Sequence, residues 1–350
     1  MNKANIKISA SEKLAFISGL GKMLEGGIAI PDAIDALLEG TKKDQKKVLQ
    51  MLKADLAEGR TISESLAKFP KSFDPITTSL ISTGEKSGNL EKNLNQLSAN
   101  LTADIELSGK IKAAVAYPVF VIAIFFMVLI MILVFVIPRI TTVFLRLKLE
   151  LPLPTKILIV VSSQLRENTV VFVSLVLLAL LAVTLVFKKK SSLIFNLLAN
   201  LPVLSNLVTQ IDLARFTRSL NLMLSASIPI TEALASTKNV VYRKNIKLMI
   251  ENCQKSVESG KNISDTLKKY PKIIPPIMTK MIEAGEKSGS LEKSMIDLSS
   301  YFNGKIDSSI KTLTILLEPV LLVIIGVLIG GIMLSIITPI YNLIGKINPR

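Results

Sequence analysis

Residues 84–92 read GEKSGNLEK and residues 285–293 read GEKSGSLEK, so eight of nine positions are identical at an offset of 201 residues. The same offset relates prolines of the two halves: Pro70 to Pro271, Pro75 to Pro276, Pro118 to Pro319 and Pro138 to Pro339. Nearer the N-terminus the offset is 200, as between Phe16 and Phe216. A repeated unit this long predicts two copies of a whole domain rather than a stacked array of short repeats.

Three apolar stretches are long enough to cross a bilayer, which requires roughly 20 residues. They are residues 113–137, 170–187 and 313–337, and the only charge within them is Glu318. The whole chain of 350 residues is 49% hydrophobic with a mean hydropathy of +0.49, which is too apolar for an ordinary soluble enzyme. The sequence therefore predicts an integral membrane protein with three transmembrane helices.

The first apolar residues are interspersed with charges between Lys3 and Lys13, so no cleavable signal peptide is expected. Residues 1–112 are then expected to form a first cytoplasmic domain. Two crossings would return its copy, residues 188–312, to the same side, with residues 138–169 as a periplasmic loop and residues 338–350 as a short periplasmic tail. The basic run Lys188–Lys190 supports this orientation, although the loop is basic as well.

Both polar domains show helical periodicity with start and stop signals, which predicts an all-α fold of two homologous six-helix bundles. In the first copy, helices are expected from about Ser11 to Glu25, from Pro31 to Gly40 and from about Lys42 to Glu58. Thr61 to Glu64 has the form of a capping box, which predicts the start of the fourth helix. The fifth helix would precede Gly84, and the sixth would lead directly into the membrane.

The repeated GEKSG stretch is predicted to be the turn between the fifth and sixth helices. Gly84 would adopt the left-handed conformation that ends helix five, and Gly88 would loosen the approach to helix six. Glu91, in the first turn of helix six, would interact favourably with the helix dipole. Glu85 is expected to face solvent. Two interpretations stay open, a turn alone or a turn that also contacts a partner. The equivalent residues of the second copy are Gly285, Glu286, Gly289 and Glu292.

Pro118 and Pro319 lie where each bundle would meet the bilayer, and each removes one backbone hydrogen bond, so a bend or a fixed tilt is expected there. Glu318 is a candidate functional group because carboxylates within a membrane are costly, although at this depth it could also reach the interface. Gly326 and Gly330 form a G-x-x-x-G pattern, which would allow close approach of a second helix.

Several function classes are excluded by residues that the sequence lacks. It contains no histidine, which removes Ser-His-Asp and Cys-His nucleophile systems and the usual zinc sites. It contains no G-x-x-x-x-G-K-[ST] motif, so no P-loop nucleotide hydrolysis is expected. The net charge of +15 is explained by contact with anionic lipid, and nucleic acid is not implied. No enzymatic activity, cofactor or metal is predicted, and the single Cys253 excludes a disulfide within the chain.

Two domains that each carry G-E-x-S-G-x-L before a long helix, followed by Tyr117-Pro118 or Glu318-Pro319 opening an apolar span, resemble a known family. The chain is similar, from about Phe16 to Pro339, to the F-type inner-membrane platform proteins of type II secretion systems and type IV pilus assembly machines. The resemblance implies two six-helix cytoplasmic domains, homo-oligomers in the bacterial inner membrane and no catalysis. It also implies a hexameric assembly ATPase, pilin or pseudopilin subunits and other inner-membrane assembly proteins as partners.

On this basis the protein is expected to couple the ATPase to extraction and polymerisation of pilin or pseudopilin subunits. Reversing the charge of Glu85 and Glu286 together is expected to abolish fibre assembly and leave the protein level intact. The alternative class is a subunit of a membrane transporter or channel, although three spans leave few helices to enclose a pathway. A membrane-anchored sensor would need a ligand pocket in the external loop, which has only about 32 residues.

Overall fold

The structure is a computed structural model that describes residues 6–41, 43–146, 152–167 and 202–347. The described residues are helical, without strands, as the sequence predicts. The second predicted span, residues 170–187, lies outside the described residues. The chain divides into two compact units, one of residues 1–110 with 195–308 and one of residues 111–194 with 309–350.

The first unit contains both polar repeats, whose helices follow the same order. In the first copy these are α1 (Ala10–Glu25), α2 (Ile30–Glu39), α3 (Lys43–Ala57), α4 (Ile62–Ala67), α5 (Pro75–Ser87) and the start of α6 (Leu90–Met131). After α7 (Ile137–Arg146) and α8 (Leu153–Glu167), the second copy contains α9 (Pro202–Ser225), α10 (Ile230–Thr237), α11 (Lys244–Glu258), α12 (Ile263–Leu267), α13 (Pro276–Ser288) and the start of α14 (Leu291–Ile347). The periodic apolar residues form the core, and Phe16 and Phe216 are both fully buried.

Capping side chains mark two of the predicted helix starts in the first copy. Ser9 and Glu12 form a capping box at the start of α1, in which each side chain accepts the N–H of the other residue. Thr61 and Glu64 do the same at α4, at 3.1 and 3.2 Å, so the predicted capping box is confirmed. Each capping box satisfies two N–H groups, that of the residue before the helix and that of the third helical residue.

Polar contacts join the two copies within the first unit. The guanidinium of Arg218 on α9 lies 3.1 Å from the carboxylate of Asp104 on α6. Lys110 pairs with Asp307 at 2.8 Å, and the hydroxyl of Ser79 on α5 donates to the carboxylate of Glu232 at 3.1 Å. The polar parts of the two copies are therefore in contact within the first unit.

The second unit contains the apolar parts of α6 and α14 together with α7 and α8. Two described helical stretches, Leu90–Phe144 and Leu291–Thr338, are long and apolar enough to cross a membrane. Their large apolar side chains are exposed in the chain, as at Phe120 and Val323, which are 64% and 65% exposed. Such side chains would lie against lipid or other protein subunits.

Helix α8 is a feature that the sequence interpretation missed, because it treated residues 138–169 as a loop. Leu165 of α8 packs on Leu133 and Ile137 of the first apolar stretch, and Ile336 of α14 joins this cluster. The same region contains a π-helical turn, Ile132–Val136, directly before Pro138. The apolar helix was expected to end at Pro138, and instead it continues into α7.

Two hydroxyl groups of α8 explain how both apolar helices pass their second proline. In the π-helical turn, hydrogen bonds span five residues, and the N–H of Ile137 bonds to the carbonyl of Ile132. The next donor would be residue 138, but it is a proline and has no N–H. The carbonyl of Leu133 is therefore left without a backbone donor. The hydroxyl of Ser162 donates to that carbonyl at 2.5 Å. Pro339 likewise leaves the carbonyl of residue 335 free, and Thr155 donates to it at 2.6 Å.

Candidate functional site at the repeated helical turn

The repeated turn ends α5 and α13 at the second glycine of the motif, not at the first. Gly88 and Gly289 have φ of 70° and 68°, the left-handed conformation, and their N–H groups donate to the carbonyls of Gly84 and Gly285. The prediction that Gly84 ends the helix was therefore wrong. A left-handed residue after the last helical turn is where glycine avoids the steric cost of a Cβ atom.

Gly84 and Gly285 lie inside their helices, where they allow the sixth helix of each copy to approach closely. A Cβ atom on Gly84 would lie 2.9 Å from the Cα atom of Leu90. On Gly285 it would overlap the hydroxyl oxygen of Ser294 and lie 3.1 Å from the Cα atom of Leu291. Because two of these neighbours are backbone atoms at a tight turn, the contact requires glycine in both copies.

Glu85 was expected to face solvent, but its side chain is half-buried and caps another helix. Its carboxylate accepts the N–H groups of Ile62 at 2.5 Å and Ser63 at 3.1 Å, the first two residues of α4. Glu286 repeats this arrangement with Ile263 at 2.5 Å and Ser264 at 3.2 Å. The partner residues lie 22 or 23 positions away in sequence, which is why local pattern analysis missed them.

The two glutamates complete the capping of the short helices α4 and α12. In the first copy, the Thr61 capping box leaves the first two N–H groups of α4 unpaired, and Glu85 accepts both. In the second copy Asn262 makes no side-chain cap, so Glu286 alone occupies this helix start. A carboxylate in this position satisfies free amides and interacts favourably with the helix dipole.

Lys86 and Ser87, and their copies Lys287 and Ser288, are exposed in the turn, as are the residues that follow them. Lys287 pairs with Glu283 at 2.8 Å. Glu91 is exposed in the first turn of α6, at the acid position that the sequence predicts. Glu292 is exposed too, and its carboxylate accepts a short hydrogen bond from the hydroxyl of Ser225.

The candidates at the membrane junction belong to the second unit, whereas the repeated turns belong to the first. Pro118 and Pro319 lie inside α6 and α14, which continue as helices through both positions. Glu318 is exposed, and among the described residues it has no hydrogen-bond or ion-pair partner. A Cβ atom added to Gly326 or Gly330 would have no other atom within 4 Å, so the G-x-x-x-G face makes no contact within the described chain.

Cys253 is buried in the second copy, and its chemistry follows from that burial. Burial, and next the negative charge of Glu286, raise the pKa of the Cys253 thiol to about 12. The thiol is therefore neutral and unreactive while the copy is folded. Within the described ranges, no group of acidic residues and cysteine is arranged to hold a metal ion.

Thr155 and Ser162 are further positions that the sequence interpretation did not identify. Each supplies one hydroxyl to a carbonyl freed by a proline, and the two prolines are equivalent in the repeats. The signal that could have found them is the pair Pro138 and Pro339, since a proline within an apolar helix requires another donor for the freed carbonyl.

Comparison with known proteins gives matches over nearly the whole chain. The family model described as type II secretion system protein F matches residues 16–138 and 216–339. The type IV pilus assembly protein PilC of Thermus thermophilus is 31% identical over 99% of this chain and 87% of its own length. PilC of Pseudomonas aeruginosa is 26% identical over 97% and 92%, and the type II secretion system protein F of Vibrio cholerae is 25% identical over 96% and 83%. Together with the two apolar helices, these names indicate an inner-membrane protein.

Proposed function

The chain belongs to the family of type II secretion system protein F, and on that premise we propose that it couples a cytoplasmic assembly ATPase to the extraction and polymerisation of pilin or pseudopilin subunits. The family consists of membrane platform proteins. The observation that carries the proposal is the match of the family model to both copies, each including its turn and the apolar helix behind it.

The helix connectivity supports a mechanical role. In each copy the turn is followed directly by one helix, α6 or α14, which continues through Pro118 or Pro319 into the apolar stretch. Glu85 and Glu286 attach this turn to the start of a neighbouring short helix. A displacement applied to the polar part would reach the apolar part through one continuous helix. Since the sequence has no P-loop, the energy for such a displacement would come from a partner.

The proposal places both polar copies on the cytoplasmic side, where the ATPase is, and the apolar helices among the pilin subunits. It includes homo-oligomers in the inner membrane and contacts with other assembly proteins. The exposed G-x-x-x-G face of α14, which is free within the described chain, suits contact between copies. Glu318 is exposed on the same helix and would meet a partner group there.

The geometry of the turn changes which residues would contact the ATPase. Glu85 and Glu286 each accept two backbone N–H groups at the start of a short helix. A lysine or arginine in their place would leave these N–H groups unpaired and put a positive charge beside them, which would destabilise the fold and lower the protein level. This revises the expectation that the level stays intact. Lys86 and Lys287 are exposed and are the better candidates for partner contact.

The experiment is complementation of a host that lacks this gene with the variant Lys86→Glu/Lys287→Glu. We expect a normal protein level in the membrane and loss of fibre assembly, because both lysines are exposed and the one pair that is lost, Lys287 with Glu283, is an i,i+4 surface pair that contributes little to stability. Lys46→Glu/Lys280→Glu is the matched control, since it reverses one exposed lysine of each copy outside the repeated stretch. Full assembly with the turn variant would refute partner contact at the turn, and normal assembly in a strain lacking the protein altogether would refute the function.

A further inference from the structure

The two copies differ sharply in charge at the turn between their third and fourth helices. In the first copy, the buried carboxylate of Asp55 binds the ammonium of Lys68 at 2.5 Å, the hydroxyl of Ser65 at 2.6 Å and the guanidinium of Arg60 at 2.8 Å. Arg60 also pairs with Glu58 at 2.8 Å. The two cations of this turn are thus neutralised by two carboxylates from the end of α3.

The second copy keeps both cations and replaces both carboxylates. At the offset of 201, Lys261 and Lys269 stand at the positions of the two cations, whereas Ser256 and Ser259 stand at those of the two carboxylates. The hydroxyl of Thr266, equivalent to Ser65, turns to the hydroxyl of Ser256 at 2.7 Å. Among the described residues, neither Lys261 nor Lys269 forms an ion pair.

The backbone of this turn is the same in both copies, so the cations are presented in the same way. Gly59 and Gly260 both take the left-handed conformation, with φ of 81° and 75°. The N–H of the next residue donates to the carbonyl of residue 55 at 3.0 Å in the first copy, and to that of residue 256 at 2.9 Å in the second. The second copy lacks carboxylates at these two positions, and its nearby Glu258, at the position of Ala57, accepts a hydrogen bond from Gln254 at 2.9 Å.

An open cavity of about 340 Å³ lies where the acidic side chains are missing. Its lining includes Lys255, Lys261 and Lys269, together with the hydroxyl-bearing Ser256 and Tyr270. The lining also contains one carboxylate, which pairs at 3.2 Å with a lysine outside the cavity. An ordinary solvated basic face needs no concave shape, whereas this one combines ammonium and hydroxyl donors around a single space.

We propose that this cavity, the basic pocket, binds a pair of carboxylates from an acidic segment of a partner protein. The first copy identifies the chemistry, because Asp55 and Glu58 are the groups that the same turn holds there. They lie three residues apart, Asp55 in the last turn of α3 and Glu58 directly after the end of that helix. The matching ligand is a helical segment with two acidic residues one turn apart. This ligand chemistry follows from the difference between the two copies, and it does not depend on whether the protein serves a pilus or a secretion system.

The test uses the full chain in nanodiscs of neutral lipid and a fluorescent helical peptide with the pattern Asp-x-x-Glu, read by anisotropy at low ionic strength. The control peptide carries Asn-x-x-Gln. Ser256→Asp/Ser259→Glu restores the carboxylates of the first copy and should fill the basic pocket without lowering the melting temperature. Lys261→Gln/Lys269→Gln removes the cations, and Lys280→Gln/Lys293→Gln removes equal charge elsewhere.

We expect the acidic peptide to bind wild type and the Lys280→Gln/Lys293→Gln variant alike, and both pocket variants about tenfold more weakly or worse. The amide peptide should not bind. Equal binding to all variants would identify a solvated basic face and overturn the proposal, as would no binding to wild type. Binding of inorganic phosphate in place of the acidic peptide would assign the basic pocket to a phosphate ligand and overturn the carboxylate assignment.

Discussion

Replacement of Glu286 by alanine tests the role of the repeated turn, because this carboxylate is the only side chain that caps α12 among the described residues. The change leaves the N–H groups of Ile263 and Ser264 without a protein acceptor. Loss of a helix cap costs about 1–2 kcal/mol, and loss of the charge at the helix start adds about 0.5–1 kcal/mol. We therefore expect the free energy of opening of the second copy to fall by about 1.5–3 kcal/mol.

The native Cys253 reports this opening without an added label. Its thiol is buried and its pKa is raised to about 12 by burial, and to a lesser degree by Glu286, so it reacts only when the copy opens. The expected change in opening free energy corresponds to a roughly 10- to 150-fold faster reaction with a maleimide or an aromatic disulfide. The measurement is the rate of labelling of the full protein in detergent under native conditions.

Asp297→Ala is the matched control, because it removes one exposed carboxylate from α14, close in sequence to the turn. Its labelling rate should stay within about threefold of wild type, as for other exposed positions. Glu286→Gln keeps one acceptor oxygen and should fall between the two. If Glu286→Ala labels no faster than Asp297→Ala, the carboxylate does not hold the start of α12 and the reasoning fails.

Three further predictions concern packing, the proline contacts and pH. Gly84→Ala should destabilise the protein by about 1–3 kcal/mol in thermal denaturation, because the added Cβ atom would meet backbone atoms. Gly109→Ala, in open space on α6, should stabilise the protein by about 0.5–1 kcal/mol. A change of the same sign for both variants would contradict this. Ser162→Ala should cost about 1–2 kcal/mol in wild type and clearly less combined with Pro138→Ala, which supplies an N–H, so an additive double-mutant cycle would reject the contact. Burial alone would raise the pKa of Asp55, but the hydrogen bonds and charges of its partners outweigh burial and lower the pKa. The stabilisation that the ionised carboxylate gives is therefore present at neutral pH and is lost as the pH falls below about 4 through the lowered pKa. Asp55→Asn should then lower the melting temperature at pH 7 and lose this effect in acid; a difference that is independent of pH would contradict the pairing.

Local sequence patterns predicted the repeat and the helices, because periodicity, capping residues and glycine stops act over a few neighbouring positions. Thr61 and Glu64 show this, since three residues of separation suffice to specify their reciprocal hydrogen bonds. The role of Glu85 could not be found in this way, because its partners lie 22 and 23 positions away and depend on the packing of α5 beside α4. Spacing alone also could not decide which of two glycines, Gly84 or Gly88, takes the left-handed conformation.

Helix α8 shows a second limit of sequence analysis. Its residues lie between two predicted spans, so they were assigned to a loop on position rather than on their own apolar pattern. Thr155 contacts the carbonyl of a residue 180 positions away, and no local pattern encodes that contact. The prolines that make the contact necessary were visible in the sequence, but the donor that compensates for them was not.

Site-directed labelling of the two turns tests the central claim, that both copies lie on the cytoplasmic face of one membrane. Ser87→Cys and Ser288→Cys place single thiols at exposed, equivalent positions, while the buried Cys253 stays unreactive. In intact spheroplasts, both should react with a membrane-permeant maleimide and neither with an impermeant one. Labelling of one position, or of both, by the impermeant reagent from outside would contradict the account.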